Sequence, residues 1–210
     1  MNDEYAYTSD APSDGLDEGE SGNNESFAKP MRRQYDKFAK RTVLLTNLPD
    51  VTKHSDIVEA VRCGLILEVY LRLHDRTACV SFLEEAHAHE FFRHVKRNDL
   101  YIRGKRVRSF RQYSLMWSLF INNFKVMIRW SERQFVLPGH IANKISIGAT
   151  RNLVIHTRNA KHTEASIRQD LEHIHNLVVI KITLNGPDAH ISTNSVHNAL
   201  FARTCMMSRA

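Results

Sequence analysis

The sequence predicts an α+β chain of two tandem sandwiches, each of the order βαββαβ, with the second ending before its fourth strand. Short β-branched, apolar runs alternate with amphipathic helical stretches, and the same order restarts at Arg151. No glycine signature of a doubly wound parallel sheet accompanies it.

Thr42-Val43-Leu44-Leu45-Thr46-Asn47-Leu48, closed by Pro49-Asp50, reads as the first strand and its turn. Ser55-Asp56 predicts the start of a helix with Ile57, Val58 and Val61 on one face, ended by Gly64. Leu65 to Leu71 and Thr77 to Phe82 follow as strands around the turn His74-Asp75-Arg76, with Ala78, Val80 and Phe82 on one side. A helix from Glu84 to Lys96 turns Ala88, Phe91, Phe92 and Val95 inward, and Tyr101 to Val107 begins a fourth strand. In the second copy Leu153 to His156 is a strand, and Thr163 caps a helix carrying Ile167, Leu171 and Ile174. Val178 to Leu184 and Ala189 to Thr193 are strands joined by Asn185-Gly186-Pro187-Asp188, and Ser195 starts a last helix. The reading gives a first domain over 41–130, a linker from Ser131 to Thr150, and a second domain over 151–210 that is truncated at its C-terminal end. The linker's Phe135, Val136, Ile141, Ile145 and Ile147 predict that it packs on a domain.

Charge is unevenly placed along the chain. Of 210 residues 29 are Lys or Arg and 23 Asp or Glu, for a net charge of +6 and a pI of about 9.3. Eight of the carboxylates lie in residues 1–25, which hold no Lys or Arg, so residues 26–210 carry 29 basic against 15 acidic groups, or +14. Residues 1–40 read as a disordered tail, acidic and then basic from Lys29 to Lys40. A basic body favours a polyanionic partner such as nucleic acid. Cys63, Cys79 and Cys205 make neither an even framework nor a CxxC pair, against a disulfide-stapled secreted domain or a thiolate zinc site. The first thirty residues carry no secretory or organellar signal, and the longest apolar-leaning stretch, Leu115 to Ile121, falls short of the ~20 residues of a membrane span. A soluble, intracellular chain is expected.

The βαββαβ order resembles the RNA recognition motif, or RRM, a ferredoxin-like sandwich. Val43-Leu44-Leu45-Thr46-Asn47-Leu48 fits the family hexapeptide of apolar, aromatic, apolar, any, Asn and Leu at every place but the second. Of the family octapeptide, Asp75 to Phe82 keeps the core half and departs in the exposed half. Strand alternation puts Leu44, Thr77 and Cys79 on the face where an ordinary RRM has aromatic platforms, with Thr46 and Asn47 closing the hexapeptide beside them. Val154 and His190 hold the matching places in the second copy, with His156 and Lys181 on the same face. Base stacking on an aromatic side chain is worth about 1–3 kcal/mol per base, so a face this short of rings depends on phosphate contacts. The candidates are Arg72, Arg76, Arg103, Lys105, Arg106 and Arg129, together with the terminal Trp130. Tyr70 joins them, exposed if Leu67, Val69 and Leu71 face the core. Taken singly, each basic residue reads equally as part of a solvated rim.

At finer grain, five segments closely resemble the fungal RNA-binding proteins called negative regulator of differentiation: Leu100 to Arg106, Arg133 to Ile145, Gly148 to His156, Asp170 to Ile180 and Ile191 to Ala199. The resemblance implies several RRMs, binding of single-stranded messenger RNA, and post-transcriptional control that restrains sexual differentiation. It also implies a cytoplasmic, stress-granule-associated protein, with the nucleus as the other compartment, of which this chain is the N-terminal half. Other RNA-binding or translation proteins would be further partners.

The family-like text breaks at Arg106 and resumes at Val126, and joining the two sides gives Gly-Lys-Arg-Val-Met-Ile-Arg-Trp, one alternating strand. The intervening Val107 to Lys125 begins with a codon that starts GT and ends with one that can finish AG. It reads as an unspliced intron or gene-model error, or else as a genuine inserted loop. Its Phe110, Tyr113, Trp117, Phe120 and Phe124 have no partners in the RRM plan.

The pairs His87-x-His89 and His173-x-His175 point to different faces of a helix, and nothing completes a tetrahedral metal set. No P-loop, GxSxG or HExxH pattern is present, so no catalytic residue, metal or cofactor is expected. Nor is a membrane or a small-molecule substrate expected as a partner. Two readings remain: a non-catalytic RNA binder, or an RRM-fold protein-interaction module that has lost its RNA face.

Overall fold

Alternating burial along Val43, Leu44, Leu45 and Thr46 sets the plan of the first half: Val43 and Leu45 are fully buried and the other two are half-buried. The computed structural model describes residues 34–97, 100–102, 105–109, 126–156 and 162–208, all within one compact unit. The elements of the first half are β1 (Thr42–Thr46), α1 (His54–Ala60), β2 (Ile66–Arg72), β3 (Thr77–Phe82), α2 (Glu85–Arg97), β4 (Leu100–Ile102), β5 (Lys105–Ser109) and β6 (Val126–Trp130). They form a sheet of order β2-β3-β1-β6-β5-β4. Its first four strands are antiparallel neighbours in the RRM order, and Ile57, Ala60, Ala88, Phe91 and Val95 of the two helices close a core with Val43, Leu45, Val69, Val80, Phe82, Val126 and Ile128.

The helix α3 (Gly139–Ser146) follows, then β7 (Asn152–Ile155), α4 (Glu164–Glu172), β8 (Val179–Asn185), β9 (Asp188–Thr193) and α5 (Val196–Met207). These strands form an antiparallel sheet of order β7-β9-β8, the RRM plan without a fourth strand among the described residues. Two caps act as their sequences predict. Thr163 Oγ1 accepts from Ser166 N at 3.2 Å, and Ser195 Oγ accepts from Asn198 N at 3.2 Å. Ile167, Leu171, Ile174, Ile182, Ala189, Ile191 and Ala202 make the second core. The fold is therefore α+β, a tandem RRM.

Several details depart from the sequence reading. Helix α1 starts one residue before Ser55, because the Asp56 carboxylate accepts from Lys53 N at 2.8 Å and fixes the first turn there. The fourth RRM strand is β6 alone, pairing antiparallel with β1. Lys105–Ser109 lies beside it as the parallel strand β5 instead of running into it. Of the anomalous stretch 107–125, residues 110–125 lie outside the described residues, as do residues 1–33 of the expected tail. Gln34 to Lys40 belong to the expected tail, yet Tyr35 packs on Leu137-centred apolar groups, Lys37 O accepts from Leu137 N at 3.1 Å, and Ala39 is buried.

The segment read as a linker carries α3, whose Ile141 and Ile145 join Leu137 in a third cluster. Leu67 and Leu83 enter that cluster from the first half and Val196 enters it from α5. Leu67 is thus removed from the RRM core in which it was expected: a bulge between Ile66 and Glu68 shifts the register of β2 and turns Leu67 toward the linker. The second half also closes the outer edge of β2, where Val69 N donates to Asn194 O at 2.8 Å.

Candidate nucleic-acid interface

Cross-strand register gathers the expected residues of the first sheet into rows. Tyr70 on β2, Cys79 on β3, Leu44 on β1 and Arg129 on β6 are successive partners across the sheet. One step along, Arg72 pairs with Thr77 and Thr46 with Met127. One step the other way lie Glu68, Ser81 and Thr42, with the Thr42 and Ser81 hydroxyls 3.0 Å apart. The linker crosses this end. Gln134 Oε1 accepts from Thr42 N at 2.8 Å, and Phe135 N donates to Thr42 Oγ1 at 3.0 Å. The result is an open basin of about 480 Å³ whose rim includes Tyr70, Arg72, Arg129 and Arg133.

Tyr70 is the exposed ring of this face, and the Arg72 guanidinium lies 5.3 Å from its centroid. Arg72 also stands 3.8 Å from Asp75, a pair too exposed to hold the cation firmly. Burial raises the Glu68 carboxyl above the usual carboxylate range. Burial likewise pushes the Cys79 thiol up, with nearby Glu68 adding to the rise while a Ser131 hydrogen bond and Arg72 oppose it, so the thiol stays neutral. Leu44, Cys79 and hydroxyls make the uncharged part of the floor, and Glu68 and Glu132 line the basin together with the cations Arg72, Arg129 and Arg133.

Five expected residues are placed away from this row, and a sixth lies outside the described residues. Trp130 lies on the helix side of the sheet, stacked on Phe92 with centroids 5.0 Å apart and covered by Lys40 Nζ at 4.7 Å, because alternation along β6 puts it with Val126 and Ile128. Arg76 adopts a φ of +53° and donates from Nε to Leu48 O at 2.8 Å, with Asp50 Oδ1 at 2.9 Å, so it ties the loop after β1 to the β2–β3 turn. Asn47, at φ +60°, shapes the same corner. Lys105 and Arg106 enter as backbone of β5, two strands from β1, and Arg103 lies outside the described residues.

In the second sheet Val154 pairs with His190 and His190 with Thr183, while Lys181 and Asn152 both pair with Ser192. Val154, Lys181 and His190 are exposed on one face as expected, and exposed His156 closes the end of β7 with Nδ1 3.4 Å from Asp188 Oδ2.

The sequence reading missed Glu68, Arg133 and Gln134. Glu68 was legible, since it alternates with Tyr70 and Arg72; the linker residues reach the face through a chain reversal that no local pattern announces. It also missed Arg41 and Arg151, which precede the first strand of each half. Buried Arg41 donates to Leu83 O at 3.0 Å and to Asp36 O. Arg151 donates to Ser192 Oγ at 2.7 Å and Thr193 O at 3.0 Å. Desolvation lowers both guanidinium pKa values from their ordinary level.

No family model matches the chain, and no curated protein matches it. Among solved structures it is similar to the C. elegans NONO-1 homodimer, at 13% identity and a TM-score of 0.32 over 82% of this chain and 57% of that one. It is similar to the N-terminal three RNA binding domains of the yeast splicing factor Prp24, at 17% identity and 0.30 over 77% and 54%. A third is the Sxl-lethal protein/RNA complex, at 13% identity and 0.28 over 78% and 87%. The chain spans little more than half the length of the first two.

Proposed function

We propose that the chain binds single-stranded RNA across its open sheet faces without catalysing a reaction. We further propose that it acts on messenger RNA as a post-transcriptional regulator of the fungal negative-regulator-of-differentiation type, restraining sexual differentiation from the cytoplasm. The supporting observation is the row Tyr70–Cys79–Leu44–Arg129 with Arg72 and Arg133 at its rim: one exposed ring for a base and three cations for phosphates around one basin. Binding is then mainly electrostatic. In filter binding of the full chain to mixed-sequence single-stranded RNA, log affinity should fall with log salt by about 0.7 per phosphate contacted. Absence of binding at low salt would remove the proposal. Glu68 favours the second reading, a protein-interaction module, because a carboxylate on the basin repels phosphate; that reading predicts no salt-dependent RNA retention at all.

A further inference from the structure

At the end of the basin that the linker crosses, the polar groups are spent on one another, with one exception. Gln134 Oε1 accepts from Thr42 N, Gln134 Nε2 donates to Thr42 O, the Thr42 and Ser81 hydroxyls are 3.0 Å apart, and Phe135 N donates to Thr42 Oγ1. Glu68 stands in the same row, paired with Ser81 across β2 and β3. It lines the basin, and its carboxyl has neither a hydrogen bond nor an ion pair among the described residues. Burial raises its pKa, as it does for an acid that loses water and gains no partner in return.

Two residues along β2, on the same face, stands the exposed ring of Tyr70, with the Arg72 guanidinium 5.3 Å from its centroid. Side chains two apart on a strand leave it roughly 6.7 Å apart, close enough for a base laid on the Tyr70 ring to set an edge against Glu68. An ionised carboxylate only accepts, and it can take two parallel N–H donors at once. Among the four bases guanine alone offers two adjacent donors, N1–H and the N2 amino group, on its Watson–Crick edge. Adenine sets its N1 acceptor beside its amino group, cytosine its N3 acceptor beside its own, and uracil holds one N–H between two carbonyls. Each of these three brings a lone pair against the carboxylate.

We propose that Glu68 determines specificity for guanine: a base stacked on Tyr70 is selected by N1–H and the N2 amino group donating to the two Glu68 carboxylate oxygens. The inference deepens the RNA-binding reading of the first sheet and rests on it. It gives a carboxylate that repels phosphate a place in an RNA site, because Glu68 meets the base while Arg72, Arg129 and Arg133, around the same basin, take the phosphates. Glu132, the other carboxylate lining the basin, is exposed and follows the end of β6, off the strand that carries Tyr70.

The probes are fluorescein-labelled RNA octamers of uridine with a single guanosine, adenosine, cytidine or inosine at the fourth position, titrated against the full chain by anisotropy at low salt. The guanosine octamer should bind about tenfold more tightly than the adenosine and cytidine octamers. Inosine keeps N1–H and lacks the amino group, so its octamer should fall between. Glu68→Gln sets an amide donor against guanine's donors and should cut the guanosine-to-adenosine ratio about fivefold, whereas Glu132→Gln should leave that ratio in place. The ratio is read within each variant, so a change in overall affinity does not enter it, and the inosine comparison needs no substitution. Equal binding of the four octamers, inosine equal to guanosine, or a ratio that survives Glu68→Gln or falls with Glu132→Gln overturns the assignment of Glu68 while RNA binding stands. Failure of every octamer to bind removes the RNA-binding reading itself and this inference with it.

Discussion

Val43 and Leu45 on β1 are sealed, whereas Leu153 and Ile155 at the same places on β7 keep part of their surface in solvent. The strands are alike in sequence; what differs is the neighbour. A strand in this fold buries its apolar face against helices, but its edge is finished only by another strand. The arginine before each strand shows the same graded difference. Arg41 is buried and bonded to two carbonyls, while the less buried Arg151 shares its donors between a carbonyl and a hydroxyl. The first half is therefore the more completely closed of the two, and the third cluster ties the second to it.

The largest expected effect tests that tie. Leu137→Ala, at the centre of the third cluster, should cost about 2–5 kcal/mol and split one urea transition into two, read by Trp fluorescence and far-UV circular dichroism. A single coincident transition in the variant would mean that the halves do not depend on this contact. Next, Arg41→Ala leaves buried Leu83 O without its donor and should cost about 1–3 kcal/mol. Arg151→Ala should cost less in the same chemical denaturation, and the reverse order would contradict the burial argument.

On the RNA side, Tyr70→Ala should lower affinity by about 1–3 kcal/mol with little change in salt slope. Arg129→Ala should reduce the slope by about 0.7. His190→Ala in the second sheet should matter less than Tyr70→Ala, and filter binding at two salt concentrations separates all three.

The smallest effect concerns Glu68. Burial raises its pKa above the unfolded value of about 4.3, so the folded chain holds this proton more tightly. Its ionisation therefore opposes folding above the raised pKa, and the penalty vanishes as pH falls below the unfolded value. Glu68→Gln should be the more stable form at pH 7, by about 0.5 kcal/mol or less, with the gap closing toward pH 4. A denaturation midpoint that the substitution lowers at pH 7 would show the carboxylate to be compensated.

Alternation placed Leu44, Thr77, Cys79, Val154 and His190 correctly, and hydroxyl caps placed the starts of α4 and α5, because both effects act over two to four residues that the chain itself keeps adjacent. The aromatic character of Trp130 suggests a binding residue, but its phase along β6 puts it with Val126 and Ile128 on the helix side. Arg76 reads in the sequence as a binding cation, yet it answers to Leu48 O and Asp50, 28 and 26 positions away. The linker helix, the bulge that turns Leu67 toward the linker and the ordered Gln34 to Lys40 leave no local mark either. Each is set by which apolar surface or strand edge another segment covers after the chain has folded back. That choice rests on contacts between residues distant in sequence, whereas strand phase, helix capping and the apolar core positions rest on neighbours and are written directly into the order of residues.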